Sequence, residues 1–296
     1  MRDASRLAQI DAMLKNSGAG FGKRPDRRKT IFTIYRALAR IFTLEATEFQ
    51  LKGGSSLLLR SDDARFTRDI DLLSTGNSLD DAEHKIASLM ARNLDDGLTF
   101  TLEKSQFLEP THSQPSRKGR RLIFRSYWGN KPMNNLKIEL VQEKQILRQE
   151  ITEDPLRFKG LGLEMSPVQL FPLAHQIAQK VCACIEMHKG LPSSRSKDLL
   201  DLCFIAVNFS VNRSELTLAL DHEIVARGLD WDGNFKPPPH WSETYLSDRK
   251  KFDMDEVPER FDHAVLLINK LVAPVSPDIA GTHWDPNNQK WVGPNF

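Results

Sequence analysis

Two short stretches of this chain combine residue types and spacing that suit phosphate and metal chemistry. The first is Lys52-Gly53-Gly54-Ser55-Ser56, which reads as a turn between a short strand and a helix. Paired glycines let a backbone turn sharply and approach a ligand closely. A helix opening at the serines aims unpaired N–H groups and its positive dipole end at the turn, which makes an anion site suited to a triphosphate. Lys52 adds a point charge, and Ser55 and Ser56 add hydroxyls. The spacing is not that of a P-loop. Standing alone, the motif is equally explained as a strand-to-helix turn with a capping serine.

The second stretch is Asp69-Ile70-Asp71-Leu72-Leu73. On a strand, residues two apart share a face, so the two carboxylates lie about 7 Å apart on one side while Ile70 and Leu72 face the core. Like charges so placed repel unless cations sit between them. Mg²⁺ is commonly held by one or two carboxylates together with substrate phosphates. A solvated strand end would explain the aspartates, though not their pairing with a glycine turn.

Three further groups are candidates. Glu139, in Lys137-Ile138-Glu139-Leu140, is a third metal ligand or a general base, or else pairs with Lys137 or faces solvent. Lys180 lies at the flank of an apolar helical stripe, and Asp198 and Asp201, in Arg195-Ser196-Lys197-Asp198-Leu199-Leu200-Asp201-Leu202, are neighbours on one helical face. Acids near a helix start are also favoured by the dipole alone. Arg117, Lys118, Arg120 and Arg121 form a basic cluster, with Lys23, Arg24, Arg27, Arg28 and Lys29 forming another. Such runs hold nucleic-acid phosphates or are simply solvated.

The elements that must position these residues follow from periodicity and punctuation. The chain to about Glu48 reads as helical, with Ile31, Ile34, Leu38, Ile41 and Phe42 at helical spacing and a loop over 16–28. Strands are predicted at Phe49–Lys52, Asp69–Ser74, Leu98–Glu103, Arg121–Trp128 and Leu136–Val141, with helices at Ser55–Arg60 and Asp80–Asn93. Ser166-Pro167-Val168-Gln169 reads as a capped helix start leading into a stripe of Leu170, Ala174, Ile177, Val181 and Ile185. Further helices are expected at Lys197–Asn208 and from about Pro258 to Leu271, with Pro237-Pro238-Pro239 as a linker and an irregular tail from Gly281. The expected plan is α+β: an N-terminal helical segment at 1–48, a mixed-sheet core at 49–160, and a helical C-terminal domain at 161–296.

Composition narrows the class. No apolar run reaches the roughly 20 residues that span a bilayer, and the first residues lack the apolar core of a signal peptide. No membrane partner and a cytoplasmic location are therefore expected. Three cysteines, Cys182, Cys184 and Cys203, form no disulfide framework and read as packing residues. A net charge of +2 neither demands nor excludes a nucleic-acid partner.

The order K-G-G-S, R-F-T-R-D-I-D-L, a later lysine and R-S-K-D-L-L-D-L resembles the AbiEii/AbiGii nucleotidyltransferase family. Its members are toxins of AbiE-type and MenAT-type toxin–antitoxin pairs, within the DNA polymerase β-like superfamily. The resemblance runs from roughly Phe49 to Leu202, with a weaker echo in the helical tail. It implies a nucleotidyltransferase-type core that uses an NTP with Mg²⁺ or Mn²⁺, an RNA acceptor such as the tRNA 3′ end, and a cognate antitoxin. Gly53, Gly54 and Ser55 match the phosphate turn, Lys52 a motif lysine, Asp69 and Asp71 the metal pair, and Lys180 and Asp198 the later lysine and aspartate. The resemblance further implies that Lys180 contacts the triphosphate while Asp198 orients it or the acceptor. Other readings are transfer to a small molecule or a protein, and a binding module without catalysis.

Overall fold

The structure is a computed structural model. It describes residues 2–16, 25–43, 48–61, 63–109, 118–143, 150–152, 163, 166–188, 190–273 and 281–293. Lys23, Arg24 and Arg117 of the basic clusters lie outside the described residues. The chain divides into two compact units, one built from Met1–Pro110 and Ser116–Phe171, the other chiefly from Pro172–Phe296.

The first unit opens with α1 (Arg2–Asn16) and α2 (Pro25–Ile41), then β1 (Phe49–Lys52), α3 (Gly53–Arg60), β2 (Asp69–Ser74) and α4 (Leu79–Met90). It continues through β3 (Leu98–Phe107), β4 (Lys118–Trp128), β5 (Lys131–Pro132), β6 (Leu136–Gln142), β7 (Glu150–Thr152) and β8 (Val168–Leu170). These strands form one sheet in the order β3-β4-β6-β2-β1-β8-β7, with β5 paired to β4. The sheet is mixed: β2 runs antiparallel to β1 and parallel to β6, and β1 runs parallel to β8.

Alternation along the strands decides what each face does. Phe49, Leu51, Ile70, Leu72, Phe100, Leu122, Phe124, Ile138 and Leu140 form one apolar face, buried in a single core with Ile10, Leu14, Phe32, Tyr35, Leu38, Ile86 and Leu89 of α1, α2 and α4. The opposite face carries Asp69, Asp71, Glu139, Lys137, Arg121 and Arg125. The N-terminal helices are thus part of the sheet unit, because they cover its apolar face. Helix α4 is started by Ser78, whose hydroxyl accepts from the Asp81 amide, as helix starts favour.

Helix α2 is buried from residue 31 to residue 42, which forces Arg36 and Arg40 into the interior. Asp96, itself fully buried, answers both: Arg36 Nε donates to Asp96 Oδ2 at 2.8 Å, and Arg40 donates to Oδ2 at 2.7 Å and Oδ1 at 2.9 Å. Further guanidinium donors reach the carbonyls of Leu163, Arg92, Arg36 and Leu98. Such a group of charges is tolerable only when every donor is satisfied.

The second unit contains α5 (Leu173–Ile185), a small hairpin of β9 (Met187–His188) and β10 (Leu191–Pro192), α6 (Ser196–Asn208) and α7 (Arg213–Arg227). A 3₁₀ turn (Pro239–Glu243), α8 (Tyr245–Lys251), α9 (Phe261–Val272) and a hairpin of β11 (His283–Asp285) and β12 (Lys290–Val292) complete it. Among the described residues, no helix is long and apolar enough to cross a membrane.

Two sequence expectations change. Val168-Gln169-Leu170 is strand β8, not a helix start. Leu170 pairs with Leu51 and with Glu150, so its burial comes from the sheet, and the helix waits until Pro172 has broken the chain. The two compact units meet in sequence after Phe171. The tail is not irregular. Asp285 accepts from the Asn287 and Asn288 amides and closes a tight turn, while Trp284 is buried and donates to the Ala206 carbonyl at 2.7 Å.

Replacing Asp96 with asparagine should cost about 3–5 kcal/mol at neutral pH, because two buried guanidinium groups lose their counter-charge. Burial would raise the Asp96 carboxyl, but Arg40 and Arg36 outweigh it and hold its pKa below the ordinary value. The unfolded chain therefore takes up this proton first as pH falls. The carboxylate's contribution is complete above the unfolded pKa and is lost as pH drops through the lower native one. Urea unfolding from pH 7 into the acid range should show a shallower acid loss in Asp96→Asn than in the parent.

Candidate active site

Register brings four charged residues of four strands into one row. Lys52 of β1 pairs with Asp71 of β2, Asp71 with Glu139 of β6, and Glu139 with Arg121 of β4. Cross-strand partners share a face, so these side chains stand side by side on the polar face of the sheet, one strand spacing of about 4.8 Å apart. Asp69 lies on the same face, two residues before Asp71, opposite Lys137. Ile70 and Leu72 between and beyond them are fully buried, which locks the orientation of both aspartates.

The glycine turn is fitted to this row. Gly53 has φ +67°, a conformation that residues with a Cβ rarely adopt. A Cβ there would stand 1.9 Å from Asp71 Oδ2 and 2.7 Å from its Cγ. The Asp71 carboxylate thus occupies the volume that a side chain at position 53 would need. Helix α3 begins at Gly53 with no side-chain cap, so its first amides belong to the set that has no carbonyl partner within the helix.

The two serines serve this backbone more than any open space. Ser55 Oγ donates to the Lys52 carbonyl at 3.1 Å and accepts from the Asp71 amide at 3.4 Å. Ser56 Oγ donates to the Gly53 carbonyl at 2.9 Å. Both residues are buried. The Lys52 ammonium lies 5.2 Å from the centre of the Phe171 ring.

Glu139 does not pair with Lys137. Its Oε1 accepts from Arg121 Nε at 3.0 Å and Nη2 at 2.6 Å. Arg120, the next residue on β4, points to the opposite face, where it bridges Asp80 and Glu83 of α4 and stacks on Phe107 at 4.3 Å. Strand geometry thus splits the basic cluster, with Arg121 on the aspartate face and Arg120 tied to a helix. Lys118 is exposed.

In the second unit, Lys180 of α5 reaches both acids of α6. Its Nζ donates to Asp198 Oδ1 at 2.6 Å and Asp201 Oδ2 at 2.7 Å, and all three residues are buried. Arg195 donates to the other oxygen of Asp198. Burial would raise the Asp198 carboxyl, but Lys180 and Arg195 prevail and hold it far below the usual range. Asp201 is therefore an equal member of the cluster. Its spacing of three from Asp198 was the available signal.

Among the described residues, no three His, Cys, Asp or Glu side chains gather as a cation cage. All three cysteines are buried, and burial pushes the Cys182 thiol up to about 12. Two partly accessible carboxylates beside a glycine turn are nonetheless of the kind that suits a hard cation completing its shell with water and substrate oxygens.

A mixed sheet covered by helices on one face, with paired aspartates next to a glycine turn on the other, defines a nucleotidyltransferase-type core. The family described as "Nucleotidyl transferase AbiEii toxin, Type IV TA system" matches residues 36–266, and the chain belongs to it: a nucleotidyltransferase toxin of a toxin–antitoxin system. Among solved structures, MenT4, a nucleotidyltransferase toxin from Mycobacterium tuberculosis, is similar with a TM-score of 0.55 at 14% identity, over 88% of this chain and 88% of that one. JHP933 from Helicobacter pylori is similar at a TM-score of 0.43 and 17% identity, over 82% of this chain and 89% of that one. No curated protein matches the sequence.

Gly53→Ala should leave a folded protein with nucleotide transfer reduced about a hundredfold, the scale of an ångström-sized misplacement of a reacting group. The methyl must displace the Asp71 carboxylate. Circular dichroism alongside single-turnover transfer checks this, and parent-like transfer would refute it.

Proposed function

We propose that the protein transfers a nucleoside monophosphate from an NTP to an RNA acceptor, the 3′ end of tRNA, using Mg²⁺ or Mn²⁺. The observation that carries this reading is the fit of Asp71 against Gly53, which ties one carboxylate to the turn suited to the triphosphate. The acceptor hydroxyl attacks the α-phosphorus, a new P–O bond forms, the bond to the β-phosphate breaks, and pyrophosphate leaves. The hydroxyl loses its proton in the process.

Asp69 and Asp71 would hold the cation, which when bound neutralises charge developing on the phosphate oxygens. Glu139 stands next to Asp71, and its Oε2 is the oxygen that Arg121 does not engage; a supporting part at the metal is proposed for it. The Gly53–Ser56 turn would cradle the triphosphate through backbone amides, with Lys52 adding charge. For Lys180 and Asp198 a part in the same reaction is proposed, Lys180 toward the triphosphate and Asp198 as its orienting partner. Most of the rate enhancement would come from positioning and fixed charge.

The RNA acceptor is supported by the family and by the basic residues around β4. Since Arg120 is turned toward α4 by Asp80 and Glu83, the proposed phosphate contacts fall to Arg117, Lys118 and Arg121, the last shared with Glu139. A cognate antitoxin is proposed as the partner that restrains the enzyme.

Incubation with each labelled NTP, Mg²⁺ and total RNA tests the reading. Label should enter small RNA, and chelation should abolish it. Asp69→Ala and Asp71→Ala should each lower transfer by several orders of magnitude while staying folded. Expression of the parent should slow growth, and Asp69→Ala should relieve this. Label in a small molecule or protein would move the acceptor, and equal transfer by Asp71→Ala would sink the mechanism.

A further inference from the structure

The loop between α3 and β2 supplies a cation, Arg65, to which the motif matches assigned no role and which lies outside the row of charges. Gly54, like Gly53, faces a neighbour where its side chain would be. A Cβ at Gly54 would stand 3.3 Å from Thr67 Cβ, 3.5 Å from Arg65 Nη2 and 3.5 Å from Thr67 Oγ1. The Arg65 guanidinium therefore lies at ordinary van der Waals distance from the second glycine, where the Asp71 carboxylate would overlap a side chain on the first.

The sequence Arg65-Phe66-Thr67-Arg68-Asp69-Ile70-Asp71 explains how it gets there. Phe66 packs against the main core, with Arg27 at 5.3 Å and Arg68 at 5.9 Å from its ring centre. Ile70 is fully buried on the same core. With Phe66 anchored inward, Arg65 and Thr67 on either side of it turn toward Gly54, in line with the aspartates of β2. Thr67 is held in turn by its bond to the Asp69 carbonyl at 3.4 Å. An arginine fork so placed suits bidentate contact with phosphate oxygens.

We propose that Arg65 is a phosphate-binding residue of the nucleotide site, gripping the triphosphate beside Gly54. This rests on the nucleotidyltransferase reading. Its chemistry is clear: two aspartates beside a polyanion repel it, and Lys52 alone is a single point charge. A guanidinium beside Gly54 adds a second cation to the turn.

Equilibrium binding of the four NTPs and the matching NMPs, with Mg²⁺, to the full chain tests it without any need for transfer. Arg65→Ala should weaken the preferred NTP at least tenfold, on the scale of one charge-assisted contact, and leave NMP binding almost unchanged. Arg65→Lys should recover only part of the loss, since a point charge cannot replace a fork. Arg68→Ala, which removes an exposed cation three residues on, should bind NTP as the parent does. Thermal melting confirms folding, and if Arg65→Ala does not fold, Arg65→Lys decides between the two outcomes. Parent-like NTP affinity in the folded Arg65 variants, or an equal loss in Arg68→Ala, would overturn the assignment and leave the transferase reading standing. Failure of the parent to bind any NTP would overturn both.

Discussion

Asp71 and Gly53 share one volume. The carboxylate fills the space that any side chain at 53 would claim, and the left-handed backbone at 53 turns the chain from β1 into α3. Other features of the site follow from that contact. The register of β1 against β2 sets Lys52 opposite Asp71. The Ser55 hydroxyl braces the Asp71 amide. The start of α3 is thereby held beside the acids. The site is a consequence of packing before it is a matter of charge.

The charges are then balanced across the sheet. Lys52, Asp71, Glu139 and Arg121 alternate as plus, minus, minus, plus along one row. Arg121 neutralises Glu139, which sets that acid apart from Asp69 and Asp71, the pair proposed for the cation. In the other unit, Lys180 sits between two buried aspartates with Arg195 outside. Burial makes the pairing of Lys180 with its two aspartates obligatory, since an unmatched charge in such surroundings costs more than its partner returns.

Strands β1 and β2 were legible to the residue, because short alternating runs bounded by Gly53-Gly54 and by turn residues leave little choice of frame. Helix α2 was legible from its apolar spacing, though not the burial of Arg36 and Arg40, which depends on Asp96 some sixty residues away. The false helix start at Ser166 shows the limit of local signals. The serine, proline and glutamine suit a cap, but pairing of Leu170 with Leu51, more than a hundred residues earlier, prevailed. The tail failed for the same reason, since Trp284 is explained only by the Ala206 carbonyl. In the site, residue types identified the aspartates and the glycines. They could not separate Arg120 from Arg121, whose partners lie on opposite faces of a strand, nor could they assign the serine hydroxyls to the backbone.

All three cysteines of the chain lie in the helical unit, Cys182 and Cys184 on α5 and Cys203 on α6. Burial raises each thiol well above its ordinary range. Because the thiolate is the reactive form, an alkylating reagent meets almost nothing to modify in the folded molecule. The sheet unit contributes no sulfhydryl at all. The rate of alkylation is thus a clock for opening of the helical unit alone, and the sheet that carries the aspartates stays silent in the same measurement.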